Sequence, residues 1–558
     1  VRPNLAIVHD RIGVEVARGC TRGCRFCQAG MIYRPYRERS YPSVMETMRK
    51  TLLSTGYDTM AMLALSMTDL SYLNTIMESM SCPSREISLG VPSLRVEGIT
   101  EKVADIISSV KKPGFTMAPE AATERLRRVI NKGNTEEDLY RSVSIIKTLG
   151  WRTLKLYFMV GLPTERAEDI EAICTLSKTL AKQFKGSLNI SISGFIPKPW
   201  SPFQWQGQIA PEKHTGIIKY LQANLRQREV SLKWHDPELT FLEGVFARGD
   251  SSLADVIEQA HLMGAYLDSW GDRFNKEAWD RAFQITGIDP VRYLSPRNKT
   301  EALPWDFIGM GIKKDFLAEE EARALKEELT PDCRFDACSS CGVCNQDITT
   351  IRYGETTPET IFPEPSLTEP TPYVVRLTKT GTTRFLSPRD YMEMIKRAIR
   401  RTGLRVEYTK GFSPNMKLSM SPPPSFGIAS TSEYLQFSLR EDSEPETILA
   451  VLNTVLPKGV EALSCEKGKI KLPQSFVYQT DRPFTLNLEP GLTITKGDKE
   501  LSVDEYVVSF SDNTLTIRVK DGRTISPISL LTEFSPEGIN AWEITKIETL
   551  FQSVDPGQ

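Results

Sequence analysis

Three cysteines fall within eight residues, Cys20-Thr-Arg-Gly-Cys24-Arg-Phe-Cys27, at the spacing C-x3-C-x2-C. They follow Val14-Glu-Val-Ala17, an apolar alternation of strand period. The cysteine loop is therefore expected to leave the C-terminal end of a strand, where open α/β sheets and barrels collect their chemistry. Gly19 and Gly23 let the backbone wrap closely around a compact object. Three thiolates on so short a loop can hold three irons of a cubane and leave the fourth iron open to another ligand. A zinc knuckle wants a fourth ligand, and neither Cys nor His follows closely after Cys27. Buried core cysteines are the remaining, purely structural, reading.

The 558 residues make room for roughly two to four domains. A net charge of −2 excludes a uniformly basic nucleic-acid binder but leaves local patches open. The chain has 10 cysteines, seven of them in two tight clusters, which reads as metal ligation in a reducing, cytoplasmic setting and not as disulfides. Cys82, Cys174 and Cys465 stand alone and read as structural. No apolar run approaches membrane-spanning length, so no membrane partner is expected, and the start has no signal-peptide pattern. The chain begins Val1-Arg-Pro3 without Met, which leaves room for a preceding domain.

Residues 1–12 read as a tail and 13–205 as an α/β unit in which strands alternate with helices. Strands are expected at 14–17, 59–65, 87–91, 115–118, 154–160 and 188–195, and helices at 44–54, 99–110, 136–149 and 167–184. The strand ends carry the candidate binding residues. Ser66, Thr68 and Asp69 follow the second strand, Glu120 the fourth, and Gly161 the fifth. Glu120 reads equally as a ligand carboxylate or as the cap of the next helix. Arg125 and Arg128 read as part of a solvated helix face. Residues 206–330 read as a mostly helical extension and 331–346 as a metal segment. Its cysteines, Cys333, Cys338, Cys341 and Cys344, follow the pattern C-x4-C-x2-C-x2-C, which suits zinc and an iron–sulfur cluster equally. A Pro-rich linker is expected over 347–372. A βαββα order from Tyr373 predicts a C-terminal α+β, ferredoxin-like domain over 373–558, with hairpin turns at Ser511–Asn513 and Asp521–Gly522.

The spacing of the first three cysteines, with aromatic Phe26 before the last, resembles the signature of the radical S-adenosylmethionine (SAM) superfamily. The resemblance implies a partial (β/α)6 barrel and a [4Fe-4S] cluster on Cys20, Cys24 and Cys27, whose open iron chelates SAM and cleaves it reductively to methionine and a 5′-deoxyadenosyl radical. It also implies a reductant such as flavodoxin or ferredoxin. By position, it gives the turn at Ser66, Thr68 and Asp69 the amino group of SAM. Glu120 takes the ribose hydroxyls or the ammonium, and Gly161, in Val160-Gly-Leu-Pro-Thr-Glu165, the adenine. Phe195-Ile-Pro-Lys-Pro-Trp-Ser-Pro-Phe-Gln-Trp205 is similar to stretches in methylthiotransferases and cobalamin-dependent members.

The second half resembles the radical-SAM-linked domain family, of unknown function, in Arg384-Phe-Leu-Ser-Pro-Arg-Asp390, Gly411-Phe-Ser-Pro-Asn-Met-Lys417 and Ser421-Pro-Pro-Pro-Ser-Phe-Gly427. Proteins of this composition carry a cobalamin-binding domain ahead of the barrel. Cobalamin is accordingly expected only with such a domain, which residues 1–558 do not include. The reaction implied is methyl transfer, with methylthiolation as the alternative and a non-catalytic iron–sulfur scaffold as a third reading. Within 373–417 eleven bases, Arg397 and Arg401 among them, face only Asp390, Glu393 and Glu407, with Phe385, Tyr408 and Phe412 interleaved. That patch reads as an RNA-contacting face or as a solvated basic helix beside an ordinary core.

Overall fold

The computed structural model describes residues 7–80, 87–101, 114–345, 347–362, 368–410, 414–496, 499–520 and 523–551. Strand and helix alternate through the first part of the chain: β1 (Ile12–Glu15), α1 (Tyr41–Thr55), β2 (Thr59–Leu63), α2 (Leu73–Ser79), β3 (Ser88–Gly90), β4 (Phe115–Glu120), α3 (Glu124–Val129), α4 (Glu136–Thr148), β5 (Thr153–Val160), α5 (Ala167–Phe184) and β6 (Ser187–Gly194). β1, β2 and β3 pair in parallel, as do β4, β5 and β6. Parallel neighbours require crossovers, which the intervening helices supply. The expected helix at 99–110 falls mostly outside the described residues, and Cys82 wholly outside.

Local sequence explains the element ends. Thr135 caps α4 and Asp138 reaches back to its backbone N–H, a reciprocal box that satisfies otherwise orphaned donors. Along β5 the alternation Leu154, Leu156, Phe158, Val160 is buried against Leu139, Val143 and Ile146 of α4 and Ile173 and Leu180 of α5. Side chains on a strand alternate faces, so Lys155 and Tyr157 of β5, with Asn189 and Ser191 of β6, occupy the face turned away from the helices. That face is the concave side of the barrel, and Tyr157 is 41% exposed on it.

The alternation runs further than the sequence reading placed it. α6 (Pro211–Asn224) is followed by β7 (Val230–Trp234), which adds in parallel to β6 with Leu188 opposite Val230. Val230, Leu232 and Trp234 alternate with polar residues, a strand period hidden in a short run between helices. From there the extension is helical: α7 (Pro237–Arg248), α8 (Leu253–Leu262), α9 (Lys276–Thr286) and α10 (Lys314–Leu325). The Pro-rich stretch is strapped to the barrel. Ile361 and Phe362 are buried in the core formed by β1, β2 and α1, and Thr75 donates to Glu355 at 2.6 Å.

The C-terminal domain contains β8 (Thr371–Lys379), α11 (Pro388–Thr402), β9 (Ala429–Leu439), α12 (Pro445–Val455), β10 (Ala462–Lys467), β11 (Pro473–Thr480), β12 (Val507–Ser511), β13 (Thr514–Arg518) and β14 (Ile544–Phe551). Its sheet has eight strands in the order β10-β8-β9-β14-β11-β13-β12, with Leu418–Met420 also pairing β9. The first part keeps the expected ferredoxin-like layout, with two helices against β8, β9 and β10. The expected strand at 404–408 is reduced to the bridges Val406–Leu439 and Tyr408–Met416. The hairpin turn at Ser511–Asn513 is present, with Ser511 opposite Thr514, and Asp521–Gly522 lies outside the described residues. Two apolar cores meet within the domain, and at their seam Lys546 pairs with Glu433 at 2.6 Å, both fully buried.

Candidate functional site

The cysteine loop is held by charged and amide side chains that reach into it from elsewhere. Between Cys24 and Cys27, the fully buried Arg25 donates to Glu320 on α10 at 3.1 Å and to the carbonyls of Arg128, Val129 and Glu328. Asn131 donates to the carbonyls of Arg22, Gly23 and Thr330, bridging the loop to the segment after α10. Gly23 takes φ +71°, a left-handed turn that a side chain resists. The N–H of Gly30 donates to Cys27 Sγ at 3.4 Å, and Arg95 Nη1 stands 3.7 Å from Cys24 Sγ.

The three sulfurs are close enough to feel one another. Burial pushes Cys20 up to about 12, helped by neighbouring Cys24 and opposed by the Arg22 N–H. Cys27 is raised for the same two reasons, burial first and Cys24 second. Burial alone would weaken the Arg95 charge, but Cys24 and Glu97 outweigh it and keep the guanidinium protonated. Among the described residues no three His, Cys, Asp or Glu converge on a single ion. Cubane ligands bind separate irons and spread further than ligands of one ion. A three-thiol loop with the Gly30 N–H on Cys27 and Arg95 beside Cys24 therefore fits an iron–sulfur cluster.

Strand ends bring the other candidates to the same end of the barrel in different ways. Glu120 sits at φ +65° on the last residue of β4 and pairs with Lys132 at 3.1 Å. The helix that follows is capped by Thr123, whose hydroxyl accepts from Leu126, so Glu120 is not the cap. Asp69 is turned inward and bonded to Arg22 and Arg334, whose charges hold its carboxyl low despite burial. It braces the cysteine loop instead of facing outward, while Ser66 is buried and its hydroxyl lies 3.4 Å from that of Thr68. Gly161 has φ +81°, and a Cβ there would meet Ile209 at 2.8 Å. Its N–H is held by Glu165 at 2.8 Å, and burial pushes that carboxyl up to about 7. Phe26 packs with Leu126, Val129, Phe195 and Phe203 beneath the loop. Arg125 is half-buried and binds Asp169 and Glu327, whereas Arg128 is exposed, as on a solvated face, and donates to the Glu327 carbonyl.

A model of the Radical SAM superfamily matches residues 14–176, a span that contains all three cysteines and every strand-end candidate. The chain carries a radical SAM domain. Residues 373–513 match a second family, described as an uncharacterized protein conserved in bacteria, DUF2344. An uncharacterized protein of Methanocaldococcus jannaschii is 31% identical over 245 residues, 44% of this chain and 53% of its own length. Ribosomal protein uS12 methylthiotransferase RimO of Pseudothermotoga lettingae is 21% identical over 170 residues, 29% of this chain and 39% of its own. The chain thus spans about half or less of these relatives' lengths. Among solved structures, the radical SAM methyltransferase TsrM from Kitasatospora setae aligns with TM-score 0.34 and 16% identity, over 49% of this chain and 61% of its own.

The second cysteine segment lies directly against the radical SAM domain. Thr21, next to Cys20, donates to Asp332, next to Cys333, at 2.6 Å. Cys341 is buried in a core with Met31, Trp305 and Phe316, whereas Cys338 and Cys344 are exposed. The basic stretch of the C-terminal domain is largely engaged inside the protein. Arg397 binds Asp10 and lies over the Tyr57 ring, Arg400 binds Asp58 at 2.6 Å, and Arg401 donates to the Val455 carbonyl. Lys379 is buried and Arg384 donates to backbone carbonyls, while Arg389 and Lys410 are exposed. Phe412 lies outside the described residues. Among the described residues no helix is long and apolar enough to cross a membrane.

Sequence reasoning missed Arg22, Arg25, Arg95, Asn131, Lys132 and Glu165. Arg22 and Arg25 carried a signal, being charges inside a loop that must be buried. Arg95 and Asn131 carried none, because their partners are tens of residues away.

Proposed function

We propose that the chain is a radical SAM enzyme that cleaves S-adenosylmethionine by one-electron reduction and uses the product radical to modify a substrate. The observation that supports this most directly is the half-buried three-thiol loop at the strand end of a domain matching the Radical SAM superfamily. A [4Fe-4S] cluster bound to Cys20, Cys24 and Cys27 supplies the electron and the open iron for SAM. The chain's own residues bind, orient and shield. Arg95 beside Cys24 offsets the negative charge of a reduced cluster. The backbone turn at Ser66–Asp69 receives the SAM amino group, Glu120 with Lys132 holds its polar end, and Gly161, kept in shape by Glu165, gives the adenine a flat approach. The concave face bearing Lys155, Tyr157, Asn189 and Ser191, left open because the helices pack on the other side of the strands, is where substrate lies.

With a cobalamin-binding domain ahead of the barrel, methyl transfer to an unactivated carbon is the reaction we propose. Methylthio transfer is the second reading, favoured by the likeness to a uS12 methylthiotransferase. The test is anaerobic reconstitution with iron and sulfide, followed by SAM and dithionite. Wild type yields 5′-deoxyadenosine and methionine, and the C20A/C24A/C27A variant yields neither. Cleavage by that variant, or none by the reconstituted wild type, rejects the reading.

A further inference from the structure

We infer that Cys333, Cys338, Cys341 and Cys344 hold a second iron–sulfur cluster, placed to exchange single electrons with the cluster on Cys20, Cys24 and Cys27. The part that concerns electron exchange rests on the radical SAM reading above, whereas the metal site itself does not.

The second segment repeats the thiolate-binding devices of the first. The Ser340 N–H donates to Cys338 Sγ at 3.4 Å, as Gly30 does to Cys27 at the same distance. Cys344 receives the Thr350 N–H, as Cys20 receives that of Arg22. Ser340 at φ +55° and Gly342 at φ +91° supply left-handed turns, as Gly23 does in the first loop. At Gly342 a Cβ would stand 2.6 Å from the Lys313 side chain, so the tight Cys341–Cys344 turn needs glycine there. Such N–H···S donors stabilise the anionic sulfur of a ligand and do nothing for a neutral core thiol.

The sulfurs are neighbours: Cys338 and Cys341 both lie close enough to act on Cys333 and on Cys344. Arg34 lies near both as well. It is set from the turn after Cys27, with its Nε on the Gly30 carbonyl and its guanidinium over Phe316. One cation from the first loop thus serves the second. The C-x2-C-x2-C run is a ferredoxin-type ligand spacing.

The position gives the function. Asp332 ties the second segment to Thr21 at 2.6 Å and, through Arg334 at 3.0 Å, to Asp69. Cys20 and Cys333 are each one residue from the first of those bonds. On its inner side the segment shares a core with Met31 and Ile32, just past Cys27, and on its outer side Cys338 and Cys344 reach solvent. A reduced flavodoxin- or ferredoxin-class protein gives one electron to the outer cluster. That electron passes to the inner cluster and returns the outer one to its oxidised form, with no bond made or broken.

The experiment uses the full chain reconstituted anaerobically with iron and sulfide. The C20A/C24A/C27A variant is expected to keep about half of the wild-type iron, with matching sulfide and an electron paramagnetic resonance signal on reduction. The C338A/C344A variant is expected to lose the other half. It keeps dithionite-driven SAM cleavage but loses at least about tenfold in cleavage driven by the protein reductant. Zinc, or no metal, in the first variant with wild-type circular dichroism overturns the site, as does unchanged iron in the second, which decides if the first misfolds. Full protein-driven cleavage by an iron-depleted C338A/C344A overturns electron exchange alone. Absence of cleavage by wild type with dithionite counts against the radical SAM reading, while the iron and sulfide analyses still judge the site.

Discussion

Glu165 shows how one side chain at a strand end sets a pH dependence. Its carboxyl accepts the N–H of Gly161 with both oxygens, and burial raises it to about 7 against those bonds. The folded protein keeps this proton up to about pH 7, whereas an unfolded glutamate releases it near about 4.3. Stability from this group is therefore full below the lower value and lost as pH rises through the higher one. In Glu165→Gln the amide oxygen still accepts from Gly161 without a charge to bury. A thermal melting series from pH 5 to 8 should fall more gently for the variant than for wild type. Gly161 itself was legible in the sequence as a turn glycine, but the fold-back that buries Glu165 and so keeps its proton was not, since the Val-Gly-Leu-Pro-Thr-Glu letters do not say which way the carboxylate turns. Asp69 makes the same point in reverse. It stood where a cofactor contact belongs by position, and the structure gives its oxygens to Arg22 and Arg334.

At the scale of elements, the join between the cysteine loop, the C-terminal end of α3 and α10 is made by Arg25 and Glu320. Both are almost completely buried, and the arginine also satisfies three carbonyls. Such a pair contributes little over an apolar substitute, but removing one partner strands a charge, at a cost of roughly 3–5 kcal/mol. Glu320→Ala should lower the unfolding free energy read from urea melts by that amount, and the R25M/E320M double variant should recover much of it. A double variant no more stable than Glu320→Ala would show that Arg25 acts through its carbonyl bonds. Elements with strong local pattern were readable in advance: α5 and β5 fall at or within a residue of their expected bounds because their apolar periods are long and unbroken. β7 was not, because a five-residue alternation between two helices is too short to outweigh its surroundings.

For the whole molecule, the C-terminal domain is seated on the barrel through α11 and the end of α1. Gly56 closes α1 at φ +72°, and a Cβ there would run into the carbonyl oxygen of Arg397. Arg397 and Arg400 complete the seat on Asp10 and Asp58. Gly56→Ala combines a left-handed backbone penalty of about 1–2 kcal/mol with that collision. Its expected result is a larger radius of gyration by small-angle X-ray scattering, and heat unfolding that separates into two transitions. An unchanged radius would mean that the seat tolerates the displacement.

The sequence by itself determined the cysteine loop, the parallel βα order and the ferredoxin-like start of the second domain. In each, the residues that matter are close in the chain, and their spacing carries the geometry. Only the tertiary structure decided where charges point. The bases of 388–402 looked like an outward patch because helix periodicity places Arg397, Arg400 and Arg401 on the polar side, and that side turns out to meet the acidic rim of the barrel and the end of α12. The two cysteine clusters, more than three hundred residues apart in sequence, are brought together by Asp332 and Thr21. A long-range ion pair or hydrogen bond leaves no period and no motif in either partner, so its existence is a property of the folded chain alone.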